Sequence, residues 1–110
     1  MATYSFINAV ANSVGTGGQD VYTVPAGKKS VILGCAVTNT TGSLLPVQVR
    51  IIKADDTVLD LSVSETILGG AMRDFLSEKK LVMQSLDRLR IISAVDNSLD
   101  CVISIMEDVD

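Results

Sequence analysis

The chain has 110 residues, enough for one domain with its own core, and 47% of them are apolar although only two Phe and two Tyr are present. A formal charge of −4 argues against a nucleic-acid partner, which needs clustered Lys and Arg. With no histidine, triads of the Ser-His-Asp and Cys-His kind are excluded, and Cys35 and Cys101 alone make no zinc site.

Residues 1–19 open with "TYSFINAV", a strand or an extended arm, and end in the Gly-rich turn "SVGTGGQ". If the segment is an arm, removing 1–15 leaves a folded domain; if it is a core strand, the truncated chain unfolds. Residues 20–110 then read as one β-domain with no linker and no internal repeat. A short strand runs over 20–24 and stops at Pro25. "PAGKK" is a turn in which Pro presets φ and Gly27 supplies the left-handed position. Ser30 to Asn39 is the clearest strand: Val31, Leu33, Cys35 and Val37 fall on one face, with the smaller Gly34, Ala36 and Thr38 beside Ile32 on the other. "NTTGS" turns the chain, and 45–53 returns with Val47, Val49 and Ile51 alternating with Gln48 and Arg50, the pattern of a strand wet on one face.

Residues 58–63 alternate as a further strand. Residues 68–76 are open between strand, loop and short helix, although Gly69-Gly70 speaks against a long helix. Three more strands follow over 80–84, 88–94 and 99–107, parted by "SLD" and "VDNS". In the last, Leu99, Cys101, Ile103 and Ile105 share a face. Seven to eight short strands at near-regular spacing, with no helical stripe, predict an all-β fold: an antiparallel β-sandwich, jelly-roll or Ig-like.

Chemistry is hard to place on this framework. Asp55-Asp56 are neighbours that diverge in a strand or are solvated in a turn, and the closing Glu107-Asp108-Val109-Asp110 reads as a solvated acidic tail. Neither has the spaced ligands and glycine of a calcium loop. "VGTGGQD" lacks the Lys-Ser/Thr of a phosphate loop. The cysteines read as buried small hydrophobes that could pair only in an oxidising compartment. "MATYSFINAVANSVG" lacks the basic start and long apolar stretch of a secretory signal, and no run approaches bilayer length, so a cytosolic or particle-borne protein is expected. The apolar excess, with a mean hydropathy of +0.39, fits either surface hidden in an assembly or an aliphatic core under a thin polar shell.

"VYTVPAGKKSVILGCAVTNTTGSLLPVQVRII" resembles the start of small structural proteins of tailed bacteriophages, and "KKLVMQSLDRLRIISA" and "LDCVISIMED" are similar to their later strands. The departures are the "SLD" turn, where a Gly is expected beside the Asp, and the 64–78 stretch, which has no counterpart. The resemblance implies a non-enzymatic virion component assembled in the host cytoplasm. It implies no cofactor, no metal, no small-molecule substrate, no nucleic acid and no membrane. A capsid decoration (cement) subunit heads the readings, with a neck, connector or tail component as the alternative. The expected partners are the major capsid protein or neck and tail proteins, and further copies of the chain in a homo-oligomer. Candidate interface residues are Tyr4, Phe6 and Ile7 on the N-terminal segment, and Met72 and Phe75 in the 64–78 stretch, where apolar anchors stand beside Arg73 and Asp74.

Overall fold

A computed structural model describes residues 4–76 and 80–108, without the side chains of 4 and 62–64. The described residues form nine strands and no helix: β1 Tyr4–Val14, β2 Gln19–Thr23, β3 Ser30–Asn39, β4 Leu45–Ile52, β5 Val58–Ile67, β6 Met72–Asp74, β7 Leu81–Met83, β8 Arg88–Ser93 and β9 Leu99–Asp108. Sheet A runs β1-β9-β3, with β6 and β7 sharing the far edge of β3, and sheet B runs β2-β8-β4-β5. All pairings are antiparallel. Each sheet takes its strands from both halves of the chain, and this interleaved order is that of a jelly roll. The sandwich expected from the sequence is therefore present, in its jelly-roll rather than its Ig-like form. It has more strands than expected because β1 and the three-residue β6 join those read from periodicity.

The core lies between the sheets. Ile103 and Ile105 of β9, Val37 of β3, Val49 of β4 and Ile91 of β8 are each 1% exposed or less. All follow from period-two alternation, one face in and one out. Strand β3 departs from it. Its pairing with β9 slips between Ile32 and Gly34, so Leu33 is an extra residue in a bulge. Ile32, Cys35 and Val37 therefore point into the core, whereas Val31 sits on the outer face, opposite Met106. The simple sorting of Val31 and Leu33 with Cys35 and Val37 is corrected by that one residue.

The turns carry the expected chemistry. Gly27 has φ +76° in the turn closed by Lys28 N–H donating to the Pro25 carbonyl at 3.1 Å. In the "NTT" turn Asn39 is fully buried. Its amide donates to the carbonyls of Ser43 and Ile67, and its Oδ1 accepts from the Thr41 N–H and hydroxyl. In the "SLD" turn Leu86 takes φ +66°, the conformation a glycine adopts without cost.

Two polar clasps tie the sheets together. The Tyr22 hydroxyl of β2 donates to Glu107 Oε2 of β9 at 2.5 Å and lies 2.6 Å from Ser30 Oγ of β3. Glu107, the end of the strand expected over 99–107, is clasped rather than solvated, and Asp108, read from the sequence as tail, also belongs to β9; residues 109 and 110 lie outside the described residues. The second clasp is Asp87, 3% exposed at its side chain, which accepts from Lys53 Nζ at 2.6 Å and from Gln84 N–H at 2.9 Å. Burial alone would raise its pKa, but these donors outweigh burial and hold the carboxyl below the ordinary aspartate value.

Candidate interaction surface

The two outer faces of the sandwich are chemically opposite. On sheet B, Arg88, Arg90 and Ile92 of β8 alternate with the core residues Leu89 and Ile91, and Gln48, Arg50 and Ile52 do the same on β4. Their charges are neutralised in place. Arg90 pairs with Asp20 at 2.9 Å, Arg88 with Asp56 at 3.0 Å, and Arg50 with Asp60 at 3.2 Å. Exposed apolar side chains on sheet B lie on its edge strand β5, where Val58 is 48% exposed and Leu59 52%.

Sheet A differs. The register places Phe6 opposite Met106, Asn8 opposite Ser104 and Val10 opposite Val102, all facing outward from β1 and β9. The next strand continues the face with Val31, Gly34, Ala36 and Thr38 of β3, and its far edge adds Met72 of β6 and Val82 of β7. Phe6 is 76% exposed, Val10 65% and Met72 62%. Among the described residues, charge along β9 on this face is confined to its ends, at Asp100 and Asp108. The described side chains of β1 include no charged residue. An exposed apolar face of this kind on one side of a small domain is a candidate contact surface.

The face is also shaped. A shallow, open hollow of about 600 Å³ lies beside Phe6, lined by Phe6, Ile7, Asn8, Leu33, Ser104 and Ile105. On β3 of the same face, no atom lies within 4 Å of where a Cβ on Gly34 would stand. A second hollow of about 150 Å³ lies among Lys29, Val31, Val82 and Met106.

The candidate interface residues take different places. Phe6 stands out from the face, Ile7 is 37% exposed on the opposite side of β1, and Met72 is exposed at the sheet edge. Phe75 is half-buried and packs against the core. The side chain of Tyr4 lies outside the described residues. The rest of the surface, Val10, Val102 and Val82, was missed by sequence reading, because it becomes visible only once β1, β9, β3 and β7 are known to be neighbours.

Among the described residues, the adjacent carboxylates Asp55 and Asp56 do not converge. Asp55 accepts from Thr57 N–H in its own turn, and Asp56 faces Arg88. Among the described residues no three of His, Cys, Asp and Glu gather as metal ligands. Cys35 and Cys101 are 1% and 2% exposed on adjacent strands; the neighbouring Cys101 thiol, and then burial, push the Cys35 thiol up.

No protein-family model matches the chain, and no curated protein matches it either. Among solved structures it is similar to a chain from work described as "Bacillus endospore appendages form a novel family of disulfide-linked pili", with a TM-score of 0.60 and 10% identity over 100% of this chain and 92% of that one. At that identity the likeness shows the shared sandwich fold.

Proposed function

We propose that this protein is a non-enzymatic structural subunit, acting by surface contact within a larger assembly. The observation that carries the proposal is the contrast between an ion-paired sheet B face and an apolar, open sheet A face. Covering the sheet A face removes apolar area from water, at roughly 25 cal/mol per Å² before the costs of association are met. The assembly we favour is a phage particle, with the chain decorating the capsid shell. The bacteriophage-like order of "VYTVPAGKK", "NTTG" and "LDCVISIMED" supports that choice. So does the acidic balance, which suits a shell exterior better than a DNA-lined interior. A neck or tail position uses the same contacts at lower copy number.

A second reading, a subunit of a fibre of identical chains, is favoured by the likeness to a chain of disulfide-linked pili. In this chain Cys35 and Cys101 are buried, so a fibre built from it would be joined by apolar contact rather than through those two sulfurs.

The test is stoichiometry. In purified particles, this chain is quantified against the portal and the major capsid protein by mass spectrometry. A copy number like that of the capsid protein supports decoration. One like that of the portal refutes decoration and moves the chain to the neck or tail. Absence from particles, with filaments formed by the concentrated pure chain, replaces the virion reading by the fibre.

A further inference from the structure

We infer that the outer face of sheet A is a self-recognition surface, covered by the same face of a second copy around a two-fold axis, with each Phe6 seated in the partner's hollow. The inference rests on the assembly-subunit reading and adds the identity of the neighbour.

Three observations select a second copy. The first is shape. Phe6 projects from β1 at 76% exposure, and the open hollow it flanks, with Asn8 and Ser104 among its lining, is of a size to receive an aromatic ring. A knob beside a hole on one patch is self-complementary: a two-fold axis between them fills both holes at once. The second is charge. A chain of formal charge −4 repels its own copies unless they meet where charge is absent, and on β1, β9 and β3 that region is the middle of this face. The middle of sheet B offers no such place, since Arg88, Arg90 and Arg50 with their aspartates cross its outer surface. The third is area. Strands β3 and β9 are ten residues long, and sheet A is four strands wide through most of its length. At about 3.3 Å per residue and about 4.8 Å per strand this is roughly 600 Å² per copy. Two such faces hide about 1,200 Å², the lower end of specific interfaces. Aligned packing of two sheets face to face is the same solution the sandwich uses inside itself.

The experiment is sedimentation equilibrium of the purified full chain from about 1 to about 100 µM, a span that captures Kd values at micromolar level. The expected result is a reversible dimer of the 11.7 kDa chain. Phe6→Asp removes the knob, and Ser104→Arg fills the hole. Both positions are exposed, so each variant should keep the wild-type melting temperature while weakening dimerisation at least tenfold. Leu44→Asp, exposed in the β3–β4 turn and off the face, should dimerise as wild type. A monomer throughout the range, or a dimer that survives both Phe6→Asp and Ser104→Arg, overturns the inference. If the monomeric chain is nevertheless present in particles at capsid-like copy number, the subunit reading stands and only the self-recognition fails. A monomer absent from particles and filaments defeats both.

Discussion

Tyr22 should ionise well above the ordinary tyrosine range. It is 8% exposed, and burial, followed by its hydrogen bond to Glu107, pushes the hydroxyl from the ordinary value of 10.0 up to about 12. Raising a folded-state pKa stabilises the protonated fold relative to an unfolded chain that ionises near 10. The contribution is complete below pH 10 and disappears as pH rises toward about 12. A shift of one unit is about 1.4 kcal/mol, and because solvent reaches the clasp from the sheet end a loss on the order of 1–2 kcal/mol is expected. With only Tyr4 and Tyr22 present and no tryptophan, tyrosinate absorbance during an alkaline titration of a Tyr4→Phe variant follows Tyr22 alone. In Tyr22→Phe the pH-dependent loss of urea stability between about pH 10 and 12 should flatten, beneath the slope that lysine deprotonation gives both proteins. If the Tyr4→Phe protein titrates near 10 while still folded, the clasp between β2 and β9 is open and the reasoning is wrong.

Asp87→Asn leaves Lys53 without its carboxylate and should cost about 2 kcal/mol in denaturant unfolding. The folded-state pKa of Asp87 is lowered, so its contribution is present above the unfolded value and lost as pH falls through the folded one; the Asn variant should lack that part of the acid limb. Equal stability of the two proteins at neutral pH would show that the pair carries nothing. Leu86→Gly should stabilise by about 0.5–1 kcal/mol, because Leu86 holds φ +66° at 48% exposure, where its side chain is strained and adds little burial. A lower melting temperature for Leu86→Gly would refute strain at that turn. Cys35 and Cys101 should resist iodoacetamide in the native protein and react in urea, followed by mass; native labelling at a rate like that of free cysteine would contradict their burial.

Most of the sandwich could be read from alternation. Leu99, Cys101, Ile103 and Ile105 are inward as their spacing requires, and so are Val47, Val49 and Ile51. The choice between jelly roll and Ig-like order could not, because a strand's period states which face is buried but not which strand lies beside it. The β3 bulge left a trace in Gly34, a glycine inside an otherwise apolar strand. Strand β6 has three residues, too few for a period, and exists because β3 offers it an edge. Glu107 looked solvent-facing since nothing local marks its partner, Tyr22, which is 85 residues away. The interaction face was half legible. Phe6 and Met72 stand out as apolar residues in polar surroundings, while Val10, Val82 and Val102 become a patch only through strand order. Where the resemblance leads to an expected glycine beside Asp87, this chain has Leu86, in a backbone conformation that glycine adopts without cost.

Strand β9 is the centre of sheet A, with β1 on one side and β3 on the other, yet it follows both in the chain. Synthesis delivers strands in sequence order. Until β9 has left the ribosome, β1 has no partner in its sheet and β3 lacks its main one. Their apolar faces and open edges are then available to any neighbouring nascent chain. Sheet A therefore closes late, through contacts spanning most of the sequence, and folding should be slow for a domain of this size. A ribosome stall before Leu99 would leave sheet B without a closed sheet A to cover it, an adhesive fragment. A cell producing many copies at once therefore carries an aggregation hazard that ends only when the last strand slots in.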